Sequence, residues 1–261
     1  MKKYELIFLA VSLLLLSLFP SFLISQESNK GKFNIGFEGG VQFTNVDDPT
    51  KQNTPSRKTG YSLGPYAEYF ISDIVSIKLG LYFDNRGYKI DDLYVGFADS
   101  SQIIPDSIVF SRNSYLHITR DYSINYLTIP LSISYIKGSD KFKIYIQAGV
   151  YYSLLLNASK TGSDDLYMDP NYAQHYKPPF NVPGHTITDQ TGDATSTFNT
   201  YDFGMSLYMG FIFQFNPQWG LTVSPGFSYS FTNLYSQPEI DAKWSQIFKV
   251  NAGIVYNLKK K

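Results

Sequence analysis

The chain has 261 residues, in which 22 Lys and Arg balance 22 Asp and Glu, and it contains no cysteine. The balanced charge, without a basic stripe, argues against nucleic acid or another polyanion as a partner. The absence of cysteine excludes disulfides, thiolate metal sites and a cysteine nucleophile. No segment resembles a linker, so we expect one domain after any targeting segment.

The N-terminus has the pattern of a secretory signal peptide. Two lysines, Lys2 and Lys3, precede an apolar run that ends with a proline and small residues. We therefore predict that residues 1–25 are a signal peptide and that residues 26–261 form the folded domain. The alternative is an uncleaved membrane anchor, because the run over 6–24 is nearly long enough to span a bilayer.

The rest of the chain is a series of segments in which apolar and polar residues alternate. In 219–231, for example, Trp, Leu, Val, Pro, Phe, Tyr and Phe alternate with Gly, Thr and Ser. A period of two indicates strands, so we predict an all-β protein. The eight predicted strands are 33–43, 61–69, 75–84, 127–135, 142–154, 202–215, 219–231 and 248–258.

Two local irregularities are predicted within these strands. The fourth strand is the least regular and is expected to carry a bulge near its start at Tyr122. Pro225 has no N–H to donate, so we expect a bulge or kink in the middle of the seventh strand.

Short and long connections alternate along the chain. The strands are joined by tight turns such as "SD", "KGSDK" and "NPQ", and by long loops at 46–59, 91–119, 159–199 and 233–244. This alternation is typical of an eight-stranded antiparallel up-and-down transmembrane β-barrel with short periplasmic turns and long extracellular loops. Both chain ends would then lie in the periplasm.

The composition of the polar face predicts that it points into the barrel. It consists mostly of Gly, Ser, Thr, Asn and Gln, which suit a crowded interior better than a solvated exterior. Charges of the two signs are also balanced there, and unpaired charges in a narrow interior would be costly. We predict a filled, ion-paired interior without an open pore, built around Glu38, Glu68, Lys78, Asp84, Arg86, Lys143, Asp202 and Lys249.

The ends of the strands carry two further membrane-protein signals. Aromatic girdles at the two interfaces are predicted from Tyr61, Tyr152, Tyr201, Trp219 and Tyr256. The last strand, "NAGIVYNL", resembles the C-terminal signal that the outer-membrane assembly machinery reads. That resemblance assigns its signal residues as Asn251, Gly253, Tyr256 and Leu258.

Over nearly the whole mature chain, the pattern resembles the PorT-like outer-membrane β-barrel family of Bacteroidetes-type bacteria. The matching pieces include "FNIGFEGGVQF", "YLTIPLSISY", "YIQAGVYYSLLL" and "VNAGIVYNL". The resemblance implies an eight-stranded barrel in a Gram-negative outer membrane, with no catalytic residues. One branch of that family is linked to a protein-secretion system.

The long loops contain acids that could form a cation site at the outer rim. Hard cations prefer oxygen ligands and could bridge lipopolysaccharide phosphates there. The alternative is that Asp is simply a frequent turn residue. The candidate ligands are Asp47, Asp48, Asp91, Asp92, Asp164 and Asp165, with Glu239 and Asp241 in the fourth loop.

The three histidines, His117, His175 and His185, also lie in predicted long loops. An enzyme acting on lipid A would need His175 or His185 together with Asp189 or Ser196, and this pattern is loose. We therefore expect no enzyme activity and no cofactor.

The predicted function is that of a structural or interaction barrel that binds or adheres through its extracellular loops. The expected surroundings are outer-membrane lipid, lipopolysaccharide, the assembly machinery and a protein partner at the loops. The alternatives are an accessory role in protein secretion and, third, lipid A modification.

Overall fold

The computed structural model describes residues 29–47, 55–95, 115–167, 191–236 and 244–258, and it confirms the predicted fold class. These residues form one antiparallel sheet that closes into an eight-stranded barrel. Within them, no helix is long and apolar enough to cross a membrane. The strands are β1 (Phe33–Asp47), β2 (Ser56–Phe70), β3 (Val75–Gly80), β4 (Tyr82–Val95), β5 (Tyr115–Gly138), β6 (Phe142–Tyr167), β7 (Gly192–Asp193), β8 (Tyr201–Gln214), β9 (Trp219–Ser230) and β10 (Trp244–Leu258).

Strands β3 and β4 together make one strand of the ring, interrupted at Leu81 opposite Pro65. The N–H of Leu81 donates to the carbonyl of Pro65 at 3.0 Å, but proline has no N–H to return the bond. The ring closes where β1 pairs with β10, from Phe33 opposite Leu258 to Asp47 opposite Trp244. β7 is a two-residue ladder on β6 and does not belong to the ring.

The alternation predicted from the sequence is present as two different faces of the sheet. In β9, Trp219, Leu221 and Phe227 point outward and are exposed, whereas Ser224 and Ser228 are buried inside. The other ring strands follow the same rule, with large apolar side chains outside and polar ones inside. This arrangement is the inverse of a water-soluble barrel.

The barrel has one end with short turns and one end with long loops. Turns 71–74, 139–141 and 215–218 join strands at the short-turn end. The strand directions place the long connections, parts of which lie outside the described residues, at the long-loop end.

Several strands are longer than predicted at the long-loop end. Strand β4 continues to Val95, β5 begins at Tyr115, and β6 continues to Tyr167, so the two middle loops are shorter than expected. Together these segments form a three-stranded extension of the sheet beyond the closed ring. The alternation changes sense there, because apolar residues such as Tyr88 and Ile124 now point inward and polar residues such as Lys89 and Asn125 point outward, and the prediction therefore missed these parts of the strands.

The two predicted irregularities have different outcomes. A register shift does lie at Asn125/Tyr126, but the extra residue, Leu156, is on the neighbouring strand β6. The bulge predicted at Pro225 is wrong, because β9 keeps its register with both neighbours. Its ladder with β8 is only interrupted, between the Tyr208–Gly226 and Phe211–Val223 pairs.

Inward tyrosines fit over glycines of neighbouring strands. The ring of Tyr208 covers Gly226, and a Cβ atom built on Gly226 would lie 1.9 Å from Cδ1 of that ring. On Gly36, the same construction would bring a Cβ atom within 2.3 Å of Tyr66 Cζ. Glycine is therefore needed at these positions for space, and the tyrosines fill the interior.

We expect Gly226→Ala to lower the free energy of unfolding by roughly 1–3 kcal/mol, the usual cost of overpacking. The near end of the Tyr208 ring cannot move away without shifting its backbone. Urea-induced unfolding in lipid vesicles measures the change. Gly220→Ala on the same strand is the control, because its Cβ would meet only the flexible end of Gln214 at 3.0 Å. Equal losses in the two variants would contradict this account.

Candidate functional site

The interior nearer the short-turn end contains a carboxylate that is bound by a lysine and a tyrosine. Both oxygens of Glu38 accept hydrogen bonds from Lys78 Nζ at 2.9 Å, and Oε1 accepts another from the Tyr82 hydroxyl at 2.5 Å. The Lys78 ammonium also lies 3.9 Å from the ring centre of Tyr66. These residues come from β1, from β2 and from the ring strand that β3 and β4 form together, so the cluster connects three neighbouring strands of the ring.

Glu68 lies beside this cluster and is held by neutral donors. It accepts hydrogen bonds from Asn34 Nδ2 at 3.1 Å and from Ser76 Oγ at 2.6 Å. The strand register places it directly between Asn34 on β1 and Lys78 on β3.

A second cluster crosses the barrel nearer the long-loop end. Asp84 binds Lys249 and Arg86, each at 2.9 Å, and Arg86 also binds Asp202 at 2.6 Å. The guanidinium donates further bonds to Thr128 and Ser153. Arg86 therefore connects β4 to β8, and Asp84 connects β4 to β10. The side chains of these strands block the lumen at this level.

The structure places seven of the eight predicted interior charges inside the barrel. Glu38, Glu68, Lys78, Asp84, Arg86, Asp202 and Lys249 are all buried. The prediction is wrong for Lys143, which is only half-buried because it is the second residue of β6, at the short-turn rim. The buried set therefore contains four acids and three bases, not the predicted balance of four and four.

The remaining space between the two clusters is too small for a solute. It is a cavity of about 30 Å³, which Glu38, Lys78, Arg86, Lys249, Ser206 and Asn251 help to line. A cavity of this size has room for water molecules but for no larger solute. Between the two clusters, side chains therefore fill most of the described interior.

Apolar side chains close the barrel at the short-turn end. Phe70, Ile136, Tyr145, Ile212 and Val255 are buried together there. Just below them, Asp73 Oδ1 accepts hydrogen bonds from the backbone N–H groups of Asn29 and Lys30, at 2.9 and 3.1 Å. The chain segment before β1 is thereby attached under the barrel.

An aromatic cap closes the long-loop end. Phe198, on the described part of the third long loop, stacks on Tyr235 at 5.7 Å and meets Tyr122 edge-on at 5.6 Å. The hydroxyls of Tyr88 and Tyr235 lie 2.5 Å apart. The cap residues are Val46, Tyr88, Ile124, Tyr126, Ala158, Ala194, Phe198, Leu234 and Tyr235.

The cap was not predicted, although the sequence contained two signals for it. Inward positions of β4 change from charged to apolar at Tyr88 and Ile90, which marks a new core above the polar interior. Phe198, Leu234 and Tyr235 are apolar residues close to strand ends inside otherwise polar loops.

Two of the described rim acids contact basic residues of the protein. Asp91 contacts His117 Nε2 at 2.6 Å, and Asp164 contacts Arg120 at 2.5 Å. Among the described residues, no group of three or more His, Asp or Glu could hold a metal ion. Asp92 is half-buried on β4, whereas Asp48, Glu239 and Asp241, and the side chains of Asp47 and Asp165, lie outside the described residues.

The histidine-based catalytic hypothesis falls mostly outside the described residues. His175, His185 and Asp189 are not described, and Ser196 lies in the short 3-10 helix Thr195–Thr197 of the cap. His117 lies on β5, the middle strand of the extension, and its Nε2 contacts Asp91. The described residues therefore bring no catalytic set together.

The predicted assembly-signal residues all lie on β10 along the closing seam. Gly253 pairs with Glu38, Asn251 is buried opposite Gly40, and Leu258 pairs with Phe33 at the end of the strand. Tyr256 packs outward against Trp219, with ring centres 4.8 Å apart. Their recognition by the assembly machinery stays a prediction.

A comparison of the sequence with known families agrees with the barrel fold. The model of the outer membrane protein beta-barrel domain family matches residues 24–236. The chain belongs to this family. It is therefore an outer-membrane protein, and its outward apolar face is the surface that meets lipid.

Solved outer-membrane barrels are similar to the chain at low sequence identity. OprG from Pseudomonas aeruginosa is 12% identical, over 90% of this chain and 100% of that one, with a TM-score of 0.46. Ail from Yersinia pestis, in complex with the heparin analogue sucrose octasulfate, is 11% identical, over 88% and 99%, with a TM-score of 0.38. No curated protein matches the sequence.

Arg86→Met should lower the free energy of unfolding by roughly 3–5 kcal/mol, because it leaves Asp84 and Asp202 buried without their shared cation. Lys143→Met is the matched control and should cost less than about 1 kcal/mol, since Lys143 is half-exposed at the rim. Urea unfolding in lipid vesicles compares the two. An Arg86 variant as stable as the Lys143 variant would show that the buried network is not structural.

Proposed function

We propose that this protein is a closed, non-conducting barrel of the outer membrane that acts by binding or adhesion at its long-loop end. In this proposal the long-loop end faces the outside of the cell and the short-turn end faces the periplasm. Both described chain ends, near Phe33 and Leu258, then lie on the periplasmic side, in agreement with short periplasmic turns in bacterial barrels.

The observation that carries the proposal is the contrast between a filled lumen and an extended outer sheet. The lumen is blocked by the Asp84–Arg86–Asp202 cluster and closed by apolar groups at both ends. Strands β4, β5 and β6 instead continue well past the ring. A barrel that transports nothing leaves this outer part of the molecule to carry the function.

The outward face of the extension is polar and ordered by side-chain contacts. Asn85, Asn125 and Asn157 form a row across β4, β5 and β6, with 2.7 Å hydrogen bonds between successive amides. Further out, Asp121 binds Lys58 at 2.5 Å and Lys89 at 3.3 Å. A rigid polar sheet of this kind supports the long loops and offers hydrogen-bonding groups to a partner.

We further propose that the chain has no catalytic role. Support comes from the interior, where Glu38 pairs with Lys78 and Asp84 with Lys249, and from His117, whose Nε2 contacts Asp91. Because the sequence also resembles the PorT-like family, one branch of which is linked to secretion, a role in protein secretion is the alternative to binding.

In a planar lipid bilayer, the purified full-length protein should produce no conductance steps. Phe198→Ala should also stay silent, because the Arg86 cluster blocks the lumen beneath the cap. The same variant should be cut faster by added protease near residues 191–199, since Phe198 holds that segment. Regular conductance steps from the intact protein would contradict the closed barrel.

A strain lacking the gene separates the three functions. The binding proposal predicts weaker attachment of cells to surfaces, with unchanged lipid A and unchanged secreted proteins. Cargo retained in the periplasm would instead support the secretion role. An altered lipid A profile restored by the intact gene, but not by a His175→Ala, His185→Ala double variant, would support an enzyme.

Replacing residues 168–190 with a short Gly/Ser linker tests where binding resides. The linker leaves β6 and the 191–199 cap segment intact, so the barrel should keep its unfolding midpoint while cell attachment falls. An equivalent replacement of residues 96–114 is the control for the loss of any long loop. Attachment that survives both replacements would contradict binding through these loops.

A further inference from the structure

The lipid-facing surface carries an apolar groove, which lies along β2 in the half of the barrel nearer the short turns. Its volume is about 680 Å³. Pro65 and Ala67 form its floor, Ile35 and Phe37 form one wall, and Leu79 with Leu81 forms the other. Trp219, Ile254 and Tyr256 border the side toward β9 and β10.

The groove exists because two successive outward positions of β2 are small. The strand register places Pro65 beside Phe37 and Ala67 between Ile35 and Leu79. The backbone of Gly36, Tyr66 and Gly80, whose side-chain positions point into the barrel, completes the floor. The interruption of the β3–β4 strand at Leu81, opposite Pro65, falls at the same place.

The shape of the groove fits a hydrocarbon chain better than another protein. Its walls stand on strands that flank β2, two strand spacings apart, which is about 10 Å before side chains narrow the gap. A barrel strand is tilted by about 35–45° from the membrane normal, so a groove along it runs broadly in the direction of the lipid chains. A second barrel would meet this convex surface along a line and leave the groove floor uncovered.

Aromatic residues mark where the polar part of such a lipid would lie. Trp219 and Tyr256 pack together near the short-turn end, and both line the groove. Aromatic side chains of this kind sit at the level of lipid headgroups. The headgroup of an occupant would therefore be at the short-turn end, with its acyl chain directed toward Pro65 and Leu81.

We propose that this groove is a binding site for one acyl chain of a phospholipid in the periplasmic leaflet. The assignment to that leaflet rests on the proposed orientation of the barrel, whereas the acyl-chain chemistry rests on the groove alone. The site holds a lipid more tightly than the surrounding lipid-facing surface does, because the acyl chain in the groove contacts the protein on three sides.

Trp219 is a built-in probe of the site. The chain has two tryptophans, so Trp244→Phe leaves Trp219 as the sole tryptophan, which is excited selectively at wavelengths that tyrosine does not absorb. The full-length variant is reconstituted in phosphatidylethanolamine vesicles that contain increasing amounts of the same lipid with brominated acyl chains, which quench tryptophan. If the groove selects this lipid, quenching saturates at a low mole fraction of brominated lipid. At that mole fraction the quenching is several-fold stronger than randomly distributed brominated lipid would cause.

Filling the groove provides the decisive comparison. Ala67→Phe in the same background should return quenching to proportionality with mole fraction. Ala148→Phe, which adds the same ring at an exposed position on β6 outside the groove, should leave the saturating curve unchanged. Unfolding midpoints of both variants show that each is folded.

Three results would overturn the proposal. Proportional quenching before any substitution would show only bulk lipid contact, and an equal change in both alanine variants would show a general surface effect. Saturation only by brominated lipid A, without phosphatidylethanolamine binding, would reject the phospholipid assignment. A failed conductance or attachment test leaves this result untouched, because neither of those measurements reports on the groove.

Discussion

The fold depends on one constraint, which is that every backbone N–H and C=O within hydrocarbon needs a partner in the protein. An open sheet edge cannot meet it, so β10 returns to pair with β1 along its whole length. The prolines show how strictly the rule works. Pro65 faces the one break in the β3–β4 strand, and Pro225 faces the gap in the β8–β9 ladder, without loss of register in either neighbour pair.

Closure into only eight strands then determines the interior. The space is just wide enough for side chains to fill, so buried charges must find partners there. Glu38 with Lys78, and Asp84 and Asp202 with Arg86 and Lys249, do so, while Glu68 is held by Asn34 and Ser76. The tyrosines over Gly36 and Gly226 take up further volume. A sealed lumen follows, and the outer extension is the part left to meet a partner.

Strand number, face polarity and most interior charges could be predicted, because each follows from a local period of two. The extension of β5 and β6 could not, since its inner face is apolar only because Phe198 and Tyr235 fold back over it. That contact joins residues from distant loops, and the inverted alternation of β4 and β5 does not show what covers their apolar face. The partial exposure of Lys143, and the pairing of Asp91 with His117, likewise depend on where the strands end and on cross-strand register.

Spin labels on single cysteines along β9 test the central claim of an inverted, closed barrel most directly, because the chain has no native cysteine. Collision rates are measured in lipid vesicles with oxygen, which concentrates in lipid, and with a water-soluble nickel chelate. The account predicts oxygen access at positions 221 and 227 and little access for either reagent at 224 and 228. Strong nickel access at 224 and 228 would indicate a water-filled lumen, and the reversed pattern would place the apolar face inside.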